Sequence, residues 1–551
     1  MNQPLIYNNP ASKINNRWIF LIITIFALPI LVFGIARVPI LDRDEPHFAQ
    51  ATRQMLQTQN YFHIRFQNTT RFQKPPGINW LQAISVHLLS HPDSNLIWPY
   101  RVPSVIGGLL SLWLTYFFFC RYIAPHILLF ALALLGSSLL FVIESHLAVT
   151  DSVLLSTIIL MQGSLFCIYM QNKADISVSK YLIFLFWAGS TLGFLIKGVT
   201  PLVGLLTIGA LYWMDQDKSW LKSISPLTGI TCFISLSFGW LFFVNQAENT
   251  NYLLAMFHKD LLPKLTGGHE GHGRPPLFHL LSLPVLFWPS SFFLLYGYHY
   301  ARDHFSDPII RFLIAWIIPT WIFFEIMPTK LPQYVLPTFP AIAILCGLGF
   351  FTYKDGATKK SYSIVTYGWL ILSSILCSGL GIISYWFVEN ERWIIGLYLF
   401  YTITLCYLWR FFWSKHKFRA MGWCIWLLIF GAYPLTFCLL ASLAPFQFPN
   451  QLAHLIPSSQ ISTSEPLLAV GYNEPSLVFN LNTHLVKFIS LDEASNIIAD
   501  YEPPIMLFNR EEWDKMALVT KNKLKIDAQL SGFNYNSGKW TTLYITRTKH
   551  T

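Results

Sequence analysis

The sequence predicts a mostly α polytopic membrane protein, with about thirteen transmembrane helices, juxtamembrane helices at the outer face and a small C-terminal soluble α/β domain. Three observations carry this reading. The first is composition: of 551 residues, 53% are hydrophobic, 16% aromatic and 12% charged, against about 25% charged in an ordinary soluble domain. The second is the recurrence of apolar runs of roughly 20 residues, the length that crosses about 30 Å of hydrocarbon. The third is where the basic residues fall. Loops on the side of Lys13 and Arg17 hold Arg121, Lys173, Lys218, Arg302, Lys354 and Arg410 among others, whereas the short loops on the other side hold Lys197, Lys330 and Arg392. That asymmetry fixes the register of the spans and predicts an internal N-terminus.

Taken in order, spans are expected near 18–40, 102–120, 124–143, 149–170, 181–196, 199–214, 224–245, 277–297, 309–327, 333–352, 362–387, 393–412 and 422–446. The first run lacks a small-residue cleavage site and reads as a retained span. Residues 41–100 are too polar for a simple loop and too interrupted for a span. Within them Asp44–Gln57 and Gly77–Ser90 have amphipathic spacing, which predicts two helices lying at the outer membrane surface. The transmembrane domain is expected over 1–447 and a periplasmic domain over 448–551. In that tail the runs at 466–471, 504–508 and 541–546 read as strands, and Leu491–Tyr501 and Arg510–Val519 as helices.

The net charge of +10 does not point to nucleic acid, because the cations are dispersed over short loops and not gathered on one soluble face. All eight cysteines sit in apolar segments, with no readable disulfide framework or thiolate metal spacing. No Gly-rich strand-to-helix signature for a nucleotide is present.

Under this topology six polar clusters share the outer face: 42–45, 71–76, 144–151, 197–201, 258–276 and 329–337. Such convergence describes a site. Four consecutive charged residues, Asp42-Arg43-Asp44-Glu45, at the lip of a membrane helix are costly unless a polar task retains them. Asp44 and Asp151, with Glu45, are the candidate catalytic acids, able to orient or deprotonate an acceptor. Lys74, Arg71, Lys330 and Arg274 are candidates to hold a phosphate, bound or departing. The same residues also suit plainer tasks: Asp44 and Asp151 can cap helices, and the lysines can snorkel to headgroups. His269 and His272 are spaced to offer two metal ligands without a clear third.

Asp44-Glu45-Pro46, Lys74-Pro75-Pro76, Thr150-Asp151, the loop from His269 to Pro276 and Lys330-Leu331-Pro332-Gln333-Tyr334-Val335-Leu336-Pro337 resemble the bacterial lipid A aminoarabinose transferase family. That family groups with protein O-mannosyltransferases among the C-type membrane glycosyltransferases. The resemblance covers roughly residues 18 to 350. It implies an inverting transfer of a sugar, possibly 4-amino-4-deoxy-L-arabinose, from undecaprenyl phosphate to lipid A or another envelope acceptor, at the periplasmic face of the inner membrane. It casts Asp44 as the essential first-loop acid, Asp151 as the second, Lys74 as the phosphate-contacting lysine and Tyr334 as the tyrosine beside the donor phosphate. Some relatives hold a divalent metal through an acid just before that lysine and a later histidine; here the position is Gln73. The alternatives are a protein O-mannosyltransferase and a non-enzymatic flippase or transporter for a lipid-linked sugar. Transporters place polar groups at mid-membrane within internal repeats, and neither feature is apparent in this sequence.

Overall fold

A computed structural model describes residues 16–41, 44–198, 200–248, 251–263, 273–352, 359–387, 393–414, scattered positions between 420 and 443, and 447–456, 466–481, 485–500, 505–534 and 537–549. Residues 16–214 build nine helices in order: α1 (Asn16–Val32), α2 (Asp44–Thr58), α3 (Gly77–Leu89), α4 (Trp98–Phe119), α5 (Pro125–Gly136), α6 (Leu139–His146), α7 (Asp151–Lys173), α8 (Lys180–Ile196) and α9 (Thr200–Met214). A short hairpin, β1 (Arg65–Phe66) and β2 (Thr69–Thr70), lies between α2 and α3.

Among the described residues six helices are long and apolar enough to cross a membrane, or eight if each sharply bent pair counts as one span; Arg17–Val32, Lys180–Ile196, Thr200–Met214 and Tyr398–Tyr407 are shorter apolar helices. The protein is therefore multi-pass. The run at 422–446 lies mostly outside the described residues. Two runs expected as single straight spans are broken. α5 and α6 meet at 61°, where the Ser137 and Ser138 hydroxyls donate to Leu134 O and Leu135 O and compete with the helical ladder. Helices Phe278–Leu286 and Ser290–Asp303 meet at 112° at Pro289, which has no N–H to continue a helix.

α7 is the buried axis of the membrane domain, apolar on every face and enclosed along nearly its whole length. α4 lies close against it at Gly107, where an added Cβ would come 2.7 Å from Val153 Cα. This packing plants the first residue of α7, Asp151, at the end of a fixed rod.

α2 corrects the expectation of a helix resting on the membrane surface. Glu45, Pro46, Phe48, Ala49, Gln50, Ala51, Thr52, Arg53, Met55 and Leu56 are all buried, between α3 and the C-terminal domain. Thr52 and Asn79 bond each other, and Thr52 also donates to Gln82, so the α2–α3 contact is polar as well as apolar. α3 keeps an exposed apolar face of Leu81, Ile84, Leu88 and Leu89.

The C-terminal domain is a five-stranded mixed sheet in the order β4-β3-β5-β7-β6. β3 (Leu467–Val470) runs parallel to β4 (Val486–Ile489) and β5 (Met506–Asn509), while β7 (Lys539–Thr548) runs antiparallel to β5 and to β6 (Leu524–Asn534). β3 alternates between two cores: Leu467 and Ala469 face one, Leu468 and Val470 the other. β3, β5 and β7 fall where the sequence predicts strands. β4 and β6 carry alternating polar residues and are not evident from their composition. The expected helix Arg510–Val519 is two short ones, interrupted at Met516 and Ala517, whose backbones are extended.

The domain is docked on α2 through Arg53, which has no exposed surface. Its guanidinium donates to Phe479 O at 2.6 Å and to Ser94 O at 2.9 Å, and lies 4.1 Å over the Phe479 ring. Asn95 donates to Asn480 O and Gln67 to Val486 O.

Candidate active site

The site begins with a buried strap. Arg101, at the start of α4, directs Nε and Nη2 to the two oxygens of Glu45 at 2.7 and 2.8 Å. Its remaining hydrogens reach Ile35 O, Val38 O and Pro39 O. Glu45 in turn accepts from Leu41 N at 3.0 Å and Ala148 N at 2.8 Å. A bidentate pair with every lone pair and hydrogen engaged can sit in a dry interior. It ties the end of the first span, α2, α4 and the turn before α7 into one block.

Asp44, one residue earlier on α2, points elsewhere and remains 47% exposed, 3.5 Å from Lys74 Nζ. Lys74 holds this carboxyl well below the usual carboxylate range against the opposing effect of burial, with Arg71 and Lys197 adding to it. His47, one turn on, is held neutral: burial and the Arg71 charge push its imidazole down to about 3.

The loop carrying Arg71 and Lys74 is fixed from three sides. Tyr252 is fully buried against Trp240 and Phe72 and donates its hydroxyl to Arg71 O at 2.7 Å and Lys74 O at 3.3 Å. Phe48 of α2 offers its ring to both cations, 4.7 Å from Lys74 Nζ and 5.4 Å from Arg71 Cζ. Gly77 opens α3 so close to the end of α8 that a Cβ there would stand 2.5 Å from Leu195 O. That contact draws the Lys74 loop toward Lys197, two residues beyond Leu195.

Lys197 Nζ meets Asp151 Oδ1 at 2.7 Å, and Thr150 donates to Oδ2 at 3.1 Å. The same ammonium lies 5.3 Å from the centre of the Tyr334 ring. Glu144, at the last turn of α6, is within electrostatic reach of Asp151, Lys197, Asp44 and Lys74. One cluster therefore joins α2, the 71–74 loop, α6, α7, the end of α8 and the 332–338 turn.

Of the residues expected from sequence, the structure gathers Asp44, Arg71, Lys74, Asp151 and Tyr334. Glu45 is consumed by Arg101. Lys330 is 4% exposed and donates to Met327 O at 2.8 Å and Arg274 O at 3.2 Å; the Arg274 side chain is exposed. Beside them His279 donates Nε2–H to Leu331 O and faces Glu325 at 3.4 Å through Nδ1. Lys330 thus braces the loop that delivers Tyr334. Asp42, Arg43, His269 and His272 lie outside the described residues. Among the described residues no three His, Cys, Asp or Glu side chains group to hold a metal. Gln73, whose buried Oε1 has no hydrogen-bond partner, supplies a neutral amide oxygen where a metal would need an acid, so no metal ligand set is formed by the described residues.

Sequence reasoning placed Glu144 and Lys197 in the outer-face clusters without giving them a role, and passed over His47 and Arg101 as site residues. Two of these carried a signal: Glu144 follows the apolar run Phe141-Val142-Ile143, and Lys197 stands on the side that short-loop cations otherwise avoid.

A family model described as dolichyl-phosphate-mannose-protein mannosyltransferase matches residues 73–243. The undecaprenyl phosphate-alpha-4-amino-4-deoxy-L-arabinose arabinosyl transferase of Yersinia enterocolitica is 23% identical over 79% of this chain and 76% of its own length. A protein of Aquifex aeolicus is also 23% identical, over 64% of this chain and 77% of its own. Among solved structures, ArnT from Cupriavidus metallidurans bound to undecaprenyl phosphate superposes with a TM-score of 0.75 at 15% identity, covering 96% of this chain and 98% of that one. The archaeal oligosaccharyltransferase AglB from Archaeoglobus fulgidus superposes at 0.51 and 10% identity. The fold, the charged cluster and these likenesses define a membrane glycosyltransferase of the C type that works from a polyprenyl-phosphate sugar. Within that class the chain is similar to the aminoarabinose transferases and, over residues 73–243, to the protein mannosyltransferase family model.

Proposed function

We propose that the protein transfers a sugar from undecaprenyl phosphate to lipid A or another envelope lipid at the periplasmic face of the bacterial inner membrane. The observation that carries the reading is the paired arrangement of acids and cations, Asp44 with Lys74 and Asp151 with Lys197, gathered at the starts of α2 and α7 and the end of α8. Transfer needs both signs at once. An acceptor oxygen forms a bond to the anomeric carbon on the face opposite the phosphate, while the carbon–oxygen bond to phosphate breaks and undecaprenyl phosphate departs with the electron pair. The sugar passes through an oxocarbenium-like state. Lys74 and Arg71 meet the charge gathering on the departing phosphate. Asp44, kept ionised by those same cations, lies toward the acceptor; a phosphate acceptor is already anionic, and a hydroxyl acceptor gives Asp44 its proton. Asp151 anchors Lys197, which faces Tyr334 beside the donor.

The test is mass spectrometry of lipid A and core from cells lacking the gene, complemented with wild type or with Asp44→Asn. A sugar-sized mass present with wild type and absent with the variant is expected. Identical lipids in all strains would refute the acceptor assignment. The mannosyltransferase description of the matching family model supports a second reading, a protein hydroxyl acceptor, for which glycoproteins carry the mass difference.

A further inference from the structure

Leu331 O is the point from which the turn carrying Tyr334 starts, and it accepts two hydrogen bonds. Tyr334 N–H donates to it at 3.1 Å and His279 Nε2–H at 3.0 Å. The first bond closes the opening of the turn Pro332–Thr338. The second comes from the helix Phe278–Leu286, and the histidine that makes it has no exposed surface. One carbonyl therefore ties the backbone of Tyr334 to an imidazole on another helix. The Tyr334 ring has little room to compensate for a shift of its backbone, since it is buried with its centre 5.3 Å from the Phe324 ring and 5.3 Å from Lys197 Nζ.

A carbonyl oxygen can only accept, so Nε2 carries a hydrogen and Nδ1 of the neutral ring is a bare lone pair. Nδ1 faces Glu325 Oε2 at 3.4 Å, at the last turn of the helix Pro308–Ile326. Among the described residues no other group donates to Nδ1 or to either Glu325 oxygen, and all three atoms are buried. Lys330, the other charge beside the pair, gives its hydrogens to Met327 O and Arg274 O. Two buried acceptors face to face leave both unpaired. A single hydrogen between them satisfies both and fixes the plane of the ring, and that plane aims Nε2–H at Leu331 O. We propose that His279 and Glu325 are positioning residues of this transferase, sharing one hydrogen between Nδ1 and Oε2 so that Nε2–H holds Leu331 O and, through it, Tyr334. The inference rests on the transferase reading above, with Tyr334 beside the donor phosphate.

The test uses full-length protein in nanodiscs, undecaprenyl phosphate bearing 4-amino-4-deoxy-arabinose as donor and lipid A as acceptor, with KM measured for each. His279→Ala should raise the donor KM about tenfold, the scale of one buried hydrogen bond, and leave the acceptor KM at the wild-type value. Glu325→Ala should do the same. Glu325→Gln should restore the donor KM, because its NH2 brings Nδ1 a hydrogen without a proton, and His279→Gln should restore it by putting an amide donor where Nε2 stood. In a Tyr334→Phe background His279→Ala should add nothing. Both glutamine variants keep the size of the native side chain, so a poorly folding alanine variant does not shelter the proposal. Glu325→Gln as impaired as Glu325→Ala overturns the shared hydrogen. An unchanged donor KM in His279→Ala with only kcat lowered, the mark of fewer folded molecules, overturns the positioning role, as does a loss that adds in full to Tyr334→Phe. Wild type that transfers nothing from any polyprenyl-phosphate sugar overturns the transferase reading and this one with it.

Discussion

Glu45→Gln separates the frame of the site from its chemistry. In the folded protein Glu45 accepts two hydrogen bonds from Arg101 and one each from Leu41 N and Ala148 N. Glutamine keeps one acceptor oxygen and puts an NH2 where the second stood, so a donor there faces a donor. Arg101, with no exposed surface, then retains its charge and three backbone carbonyls but no counter-ion. Breaking a buried pair on one side costs about 3–5 kcal/mol, and Glu45→Gln is expected at that scale, seen as earlier thermal unfolding in detergent by fluorescence-detected size exclusion. The paired change Glu45→Gln with Arg101→Met should recover part of the loss, because the stranded charge is gone; coupling of about 0.5–3 kcal/mol is expected for groups in direct contact. Asp44→Asn, at a half-exposed side chain, should leave the unfolding temperature near wild type and abolish transfer. An unaltered unfolding temperature in Glu45→Gln accompanied by lost transfer would refute the reasoning and put Glu45 in the chemistry.

Three further outcomes follow from the geometry. The depressed Asp44 carboxyl means that its ionised form, with the stability its pairing gives, is complete above the ordinary carboxylate pKa and is lost only as pH falls through the lower folded value. Wild-type transfer should therefore show no Asp44 limb between about pH 5 and 8, whereas Lys74→Met should move the acid limb of the kcat/KM profile upward. Arg53→Ala strands Phe479 O and Ser94 O and removes the cation from the Phe479 ring; at about 1–3 kcal/mol per stranded buried group, limited proteolysis should cleave the linker to the C-terminal domain sooner. Gly77→Ala sets a methyl 2.5 Å from Leu195 O, a backbone atom that cannot turn aside. A cost of about 1–3 kcal/mol and a raised KM for the donor are expected as the Lys74 loop shifts.

Six to eight of the thirteen expected spans and three of the five C-terminal strands were legible because burial in lipid or between two layers demands uninterrupted apolar runs. β4 and β6, half solvated, lacked that pattern. The bends near Ser137 and Pro289 were not legible in hydropathy, since a broken apolar run has the same average as a straight one. Asp44, Lys74, Asp151 and Tyr334 stood out by motif. Lys330 and Glu45 stood out equally, and nothing in their spacing said that one would spend its hydrogens on backbone carbonyls and the other its oxygens on Arg101. Partners distant in sequence decide that: Glu45 is matched 56 residues away, and Arg53 by a carbonyl 426 residues away.

Asp44 and Glu45 show why a charge at a membrane lip cannot be assigned from its neighbours. Adjacent residues on a helix are turned about 100° apart, so one rotation sends Glu45 into the protein and leaves Asp44 half exposed beside Lys74. The inward acid is saturated with four hydrogen bonds and can only hold position. The outward one meets a single lysine at 3.5 Å, too loosely to neutralise it and closely enough to keep it ionised. Chemistry needs that partial satisfaction, because a carboxylate already bonded at every lone pair has nothing to offer an acceptor.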